Sequence, residues 1–173
     1  MPSTFGEGFL SGLGHPVIGI DHLAFVVAAG LAAAVFGLPL WLPALFVAGS
    51  FGGVLLHVAG FDLPLVELAI ALSVLGLGGM LAFGRRLLPV AAWGVAFVAA
   101  GAFHGHAYGE AVVGAEASAI GAYLVGLALV QAAIAVGAAL VARKAHWRAD
   151  ALAPRLAGAA TCAVGLVALA GMV

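Results

Sequence analysis

Charge is what this chain has least of. Lys, Arg, Asp and Glu make up 8% of its 173 residues, against 65% hydrophobic residues. A soluble domain carries about a quarter of charged residues, so this chain could not cover a water-facing surface. It reads as an integral membrane protein. No Lys or Arg occurs before Arg85, and the net charge is -1. That excludes the basic footprint of a nucleic-acid binder. Cys162 is the single cysteine, which excludes an intramolecular disulfide and a thiolate-rich structural zinc site. It lies in a late apolar run and reads as a packed residue. The apolar–polar alternation of a membrane β-barrel is missing too. What remains is continuous runs of Ala, Leu, Val and Gly, which predict an all-α polytopic membrane protein.

The first 14 residues hold neither a cation nor a long apolar core, so they do not form a secretory signal as they stand. Gly6, Gly8, Gly12 and Gly14 predict an irregular, exposed tail. Beyond it, a span needs about 20 apolar residues. Punctuation by Pro, Gly and charge divides the chain into six candidates at 16–36, 40–59, 63–83, 88–107, 117–142 and 155–172. Connectors this short make neighbours antiparallel. The expectation is a single transmembrane domain over 1–173, a six-transmembrane-helix bundle. Arg85 and Arg86 then lie on the same side as Arg143, Lys144, Arg148 and Arg155. The positive-inside rule makes that side cytoplasmic and puts the N- and C-termini outside. Trp41, Trp93 and Trp147 read as interfacial belt residues.

On that topology, five of the six His and six of the seven acids fall in the outer half. Ionisable groups at membrane depth are expensive and mark functional sites. At the head of the first span stands His15-Pro-Val-Ile-Gly-Ile-Asp21-His22. If Pro16 opens the helix, His15 and His22 are seven apart and share a face. Asp21, one residue round from His22, is placed to ligate or to receive an imidazole N–H. Gly19 offers close access to a neighbouring helix. Glu67 lies just inside the third span after Pro64. His57 closes the second span.

In the fourth span, Gly101, Gly105 and Gly109 form a stripe that lets membrane helices approach. His104 and Tyr108 share the strip beside it. His106 is about 200° from His104 on a regular helix, so the two do not face one ion. His104 is the inward ligand and His106 an interfacial one. Glu110 and Glu116 are loop acids that would draw cations to the mouth. Gln131 has the only amide of the fifth span and could bond across helices. No serine sits by the cluster. Imidazole plus carboxylate suits a divalent transition metal, with nickel, cobalt, zinc and copper all compatible. A mixed site of modest affinity fits an ion that must also leave.

Three stretches resemble the HupE/UreJ family of nickel and cobalt permeases. They are His15-Pro16-x-x-Gly19-x-Asp21-His22, Pro64-x-x-Glu67-x-x-Ile70-Ala71-x-Ser73 and Phe103-His104-Gly105-x-Ala107-x-Gly109. The resemblance implies secondary transport of nickel, or cobalt in some members, toward hydrogenase, urease or cobalamin assembly. It implies the lipid bilayer and the metal-ion substrate as partners, a metallochaperone as a candidate partner on the cytoplasmic side, and a bacterial-type inner membrane as location. Members often begin with a cleaved signal. The carried-over metal ligands are His15, Asp21, His22, Glu67 and His104, with His57, His106, Tyr108 and Glu110 as further candidates. Where members commonly carry a second His, this chain has Tyr108, and its extra imidazole is His106. The main alternative is a membrane-embedded zinc-dependent hydrolase using the same residues. A haem-binding electron carrier with axial His22 and His104 and a passive metal sensor or buffer are the other rivals.

Overall fold

The computed structural model describes residues 1–172, and they are helical throughout apart from short connectors. The first helix, α1 (Phe5–Ile18), occupies the stretch expected to be an irregular tail. A capping arrangement starts it. The Thr4 hydroxyl accepts from Glu7 N–H at 3.2 Å, and Glu7 Oε2 accepts from Ser3 N–H at 2.7 Å. Such reciprocal pairing satisfies backbone donors that a helix start leaves free. The glycines that suggested disorder serve packing instead. Gly8 and Gly12 are buried against the carbonyls of Ala119 and Tyr123, with no room for a Cβ.

Pro16 does not open the next helix. It sits in the last turn of α1, where its missing N–H leaves the Gly12 carbonyl without a helical partner. At Gly19 the backbone is extended (φ -75, ψ 105), and α2 (Ile20–Val35) departs at 80°. A Cβ on Gly19 would stand 2.6 Å from His22 Cδ2. This glycine therefore makes room for an imidazole of its own segment, not for a neighbouring helix.

Five further helices follow: α3 (Leu42–Val58), α4 (Val66–Phe83), α5 (Val90–Gly109), α6 (Ala117–Lys144) and α7 (Leu152–Ala170). Small residues pair them. Gly49 and Gly53 of α3 lie against Val98, Gly101, Ala102 and Gly105 of α5, so these two helices run parallel. Gly78 of α4 meets Gly158 and Cys162 of α7, and Gly165 meets Ala71 and Leu75, in antiparallel register. Gly30 of α2 abuts the carbonyl of Ala135 in α6. Close backbone approach supplies van der Waals attraction where lipid removes most of the hydrophobic drive. Phe25, Phe46, Phe97 and Trp93 fill the core around α2. Trp93 is 1% exposed, so it is a core residue and not an interfacial one.

By length and composition, α4, α5 with its continuation to Val112, α6 and α7 can each cross a membrane, and the bent pair α1–α2 makes a fifth crossing if counted as one. Helix α3 is apolar but has only 17 residues, about 26 Å at 1.5 Å per residue. This is a multi-pass helical membrane protein with four or five full-length crossings among the described residues. The expected six equal spans are replaced by helices of unequal length. Helix α6 has 28 residues, about 42 Å, because its first turns carry α1 alongside.

The two cationic connectors meet at one end. Arg155 Nε donates to the Ala82 carbonyl at 2.9 Å, and Gly84 lies against Ala149. At the other end Met1 approaches Gly114, and Met172 shares a recess with Asp21 and Glu67. Both chain ends therefore lie at the histidine end of the bundle.

Candidate metal centre

Two pairs of imidazoles form at the histidine end, one on each side of α5. The inner pair joins α2 to α5. His22 Nδ1 and His104 Nδ1 are 2.7 Å apart, and both side chains are buried. Behind them, Ser73 of α4 has its Oγ 3.0 Å from His104 Nε2 and 2.7 Å from the Ile70 carbonyl.

This chain of contacts assigns the protons. A carbonyl only accepts, so the single Ser73 hydroxyl proton goes to Ile70. Ser73 Oγ must then accept from His104 Nε2–H. That leaves a lone pair on His104 Nδ1, which accepts from His22 Nδ1–H. With its proton committed to Ile70, Ser73 is an acceptor from His104 and not a nucleophile activated by it. Hydrogen-bonding contact between the rings also leaves no thickness for a haem between them.

His15 extends this network from α1. Its ring centroid is 6.3 Å from that of His22 and 5.1 Å from that of Tyr108. The Tyr123 hydroxyl donates to the Tyr108 carbonyl at 2.9 Å and lies 2.8 Å from His15 Nδ1. By the same accounting, His15 Nδ1–H donates to the tyrosine oxygen, and His15 Nε2 keeps a lone pair. His15 and His22 stand on different helices with the bend between them, so their nearness comes from the break at Gly19. It does not come from a shared helix face.

The outer pair joins α3 to α5 at the rim. His57 Nδ1 is 3.0 Å from His106 Nε2. Asp62 Oδ1, on a side chain 90% exposed, lies 3.9 Å from each of these nitrogens. The connector between α3 and α4 closes over them. Leu63 N–H and the Phe61 carbonyl each stand 3.1 Å from His106 Nε2. Left-handed backbone at Gly60 (φ 82) and Leu65 (φ 55) turns this connector back over the histidines.

A family model described as HupE / UreJ protein matches residues 2–168. The chain belongs to the HupE/UreJ family. It is 43% identical over 106 residues to Protein HupE of Rhizobium leguminosarum bv. viciae, covering 60% of this chain and 54% of the relative. The chain thus spans about half the length of that curated relative. No solved structure matches the chain.

Measured against the motifs that resemble the HupE/UreJ family, the structure brings some expected residues together and separates others. His22, His104 and His15 converge. Asp21 does not receive an imidazole N–H; its carboxylate accepts the His22 backbone N–H at 2.8 Å at the start of α2. With Glu67 it lines a recess of about 620 Å³ bounded by α2, α4 and α7. No three of these five residues place ligand atoms within 4.8 Å of one another among the described residues; His57, Asp62 and His106 do. Glu110 is exposed in a short 3-10 turn after α5, and Glu116 is exposed at the start of α6.

Three participants escaped the motif reading. Ser73 was visible as a family position but not as a partner of His104, because the two are 31 residues apart. Tyr123 carries no local signal for its bond to His15. Gln131, expected to bond across helices, is fully buried near the Tyr108 hydroxyl, yet neither has a hydrogen-bond partner among the described residues.

Proposed function

We propose that this protein is a permease that carries a divalent transition-metal ion, nickel or cobalt, across the bacterial-type inner membrane. The observation that carries this reading is the His22–His104 pair. Two imidazoles from different helices meet in an apolar bundle, and one is oriented from behind by Ser73. Metal-ligating histidines are held in this way by a partner on their other nitrogen. An ion that replaces the proton between the two Nδ1 atoms, with that proton moved to His22 Nε2, finds them 2.7 Å apart. Two cis ligands about 2.1 Å from one ion stand about 3.0 Å apart, so a small outward shift suffices.

His15, Asp21 and Glu67 flank the pair without closing on it. They complete the coordination when the helices move, which gives the ion a tight and a loose state. That difference is what release requires. The cationic end faces the cytoplasm by the positive-inside rule. The ion is captured at the opposite end and passes inward to a cytoplasmic acceptor such as a metallochaperone. Bound imidazole must be deprotonated, so uptake falls as the medium is acidified.

The test is nickel and cobalt uptake by cells expressing His22→Ala or His104→Ala at wild-type protein level. Uptake at background level is expected for both. Wild-type uptake in either variant would refute the reading.

A further inference from the structure

We propose that His57, His106 and Asp62 form a second metal site, distinct from the His22–His104 pair, that binds a divalent transition-metal ion at the rim. The class of ion rests on the permease reading above; the site itself rests on its own geometry.

The hydrogen bonds around His106 Nε2 do not close without a cation. Leu63 N–H can only donate, so Nε2 must offer it a lone pair. The Phe61 carbonyl at 3.1 Å and Asp62 Oδ1 at 3.9 Å can only accept, and they then face that same lone pair. Protonating Nε2 satisfies Phe61 but turns an N–H toward the N–H of Leu63. No tautomer serves all of these neighbours. A cation does, because His57 Nδ1, His106 Nε2, Asp62 Oδ1 and the Phe61 oxygen all present lone pairs to one small region.

The spacing suits an ion. Ligands about 2.1 Å from a tetrahedral centre stand about 3.4 Å apart. The three side-chain separations are 3.0, 3.9 and 3.9 Å. Adjusting each by about half an ångström closes the site. Two imidazoles and a carboxylate select nickel, cobalt or zinc over magnesium or calcium, whose shells are oxygen. The carboxylate reaches into water while His106 is buried, so an ion arriving from solution meets Asp62 first and the imidazoles next. His104 and His106 project from α5 in opposite directions, toward α2 and α3 respectively. The two sites therefore share no ligand and fill independently.

The experiment is titration of the purified full-length protein in detergent with nickel chloride, read by calorimetry. The wild type is expected to bind two ions. The double variant His57→Asn, His106→Gln places amides where the ring nitrogens stood, and it is expected to bind one. The double variant His22→Ala, His104→Ala is also expected to bind one. Asp62→Asn alters only an exposed side chain, so it leaves folding intact, and it should weaken one of the two ions at least tenfold. The proposal is overturned if the wild type binds a single ion, if His57→Asn, His106→Gln still binds two, or if Asp62→Asn leaves both affinities unchanged. Loss of the second ion in the rim variants, with two ions kept in His22→Ala, His104→Ala, would uphold this site and refute the inner one.

Discussion

Replacing Gly105 by alanine would put a methyl group where Ser50 of α3 already stands. An ideal Cβ at Gly105 lies 2.6 Å from Ser50 Cα and 2.7 Å from Ser50 C, and closer still to the Ser50 carbonyl oxygen. Ordinary Cβ contacts begin near 3.4 Å, so α3 and α5 must separate by about 0.8 Å to accept it. The obstacle is backbone, which cannot rotate away. Overpacking of this kind costs about 1–3 kcal/mol, roughly a 5- to 150-fold loss in the folded-to-unfolded ratio. For a chain of this size that is about 2–12 °C in thermal midpoint. Alanine also gains up to about 1 kcal/mol over glycine in a helix, which blurs a single measurement. Gly52→Ala supplies the control, because Gly52 is on α3 with nothing within 4 Å of an added Cβ. The difference between the two variants isolates the packing cost. The same separation pulls His57 from His106, opening their 3.0 Å contact and weakening nickel at the rim. Thermal unfolding in detergent and the nickel titration read the two effects. If Gly105→Ala and Gly52→Ala melt together, the close approach of α3 and α5 is refuted.

Ser73→Ala removes the acceptor that fixes His104 as the Nε2–H tautomer. Loss of such an orienting partner costs about 10- to 100-fold in metal affinity, and nickel affinity unchanged at the inner site would show that another group sets the tautomer. Gln131→Leu removes two buried polar atoms that lack partners. Each such atom costs about 1–3 kcal/mol, so the variant should unfold at higher temperature in the same detergent scan. A lower midpoint would mean that the amide is bonded in the folded protein.

Much of this molecule was legible in the order of its residues. Scarce charge and long apolar runs determined a helical membrane protein, because hydrocarbon admits no unpaired backbone. The confinement of Lys and Arg to two connectors anticipated their meeting at one end, which Arg155 and Ala82 bear out. The 100° step of a helix foretold that His104 and His106 face apart. Three motifs pointed to the HupE/UreJ family.

Other features depended on partners distant in the chain. The glycines before Gly19 read as a loose tail, yet they are the face by which α1 lies on α6, over a hundred positions away. Their meaning as contacts exists only once α6 is beside them. His15 and His22 looked like one face of one helix, but Pro16 and Gly19 broke it, and the imidazoles met across the bend. Periodicity reports which side chains share a face of one helix. It cannot report which helix covers that face. That choice belongs to glycine contacts between segments, such as Gly53 against Gly105, and only the tertiary structure made it. It sent His104 to Ser73 and His22, and sent His106 to His57 and Asp62. One expected cluster thereby became two separate centres.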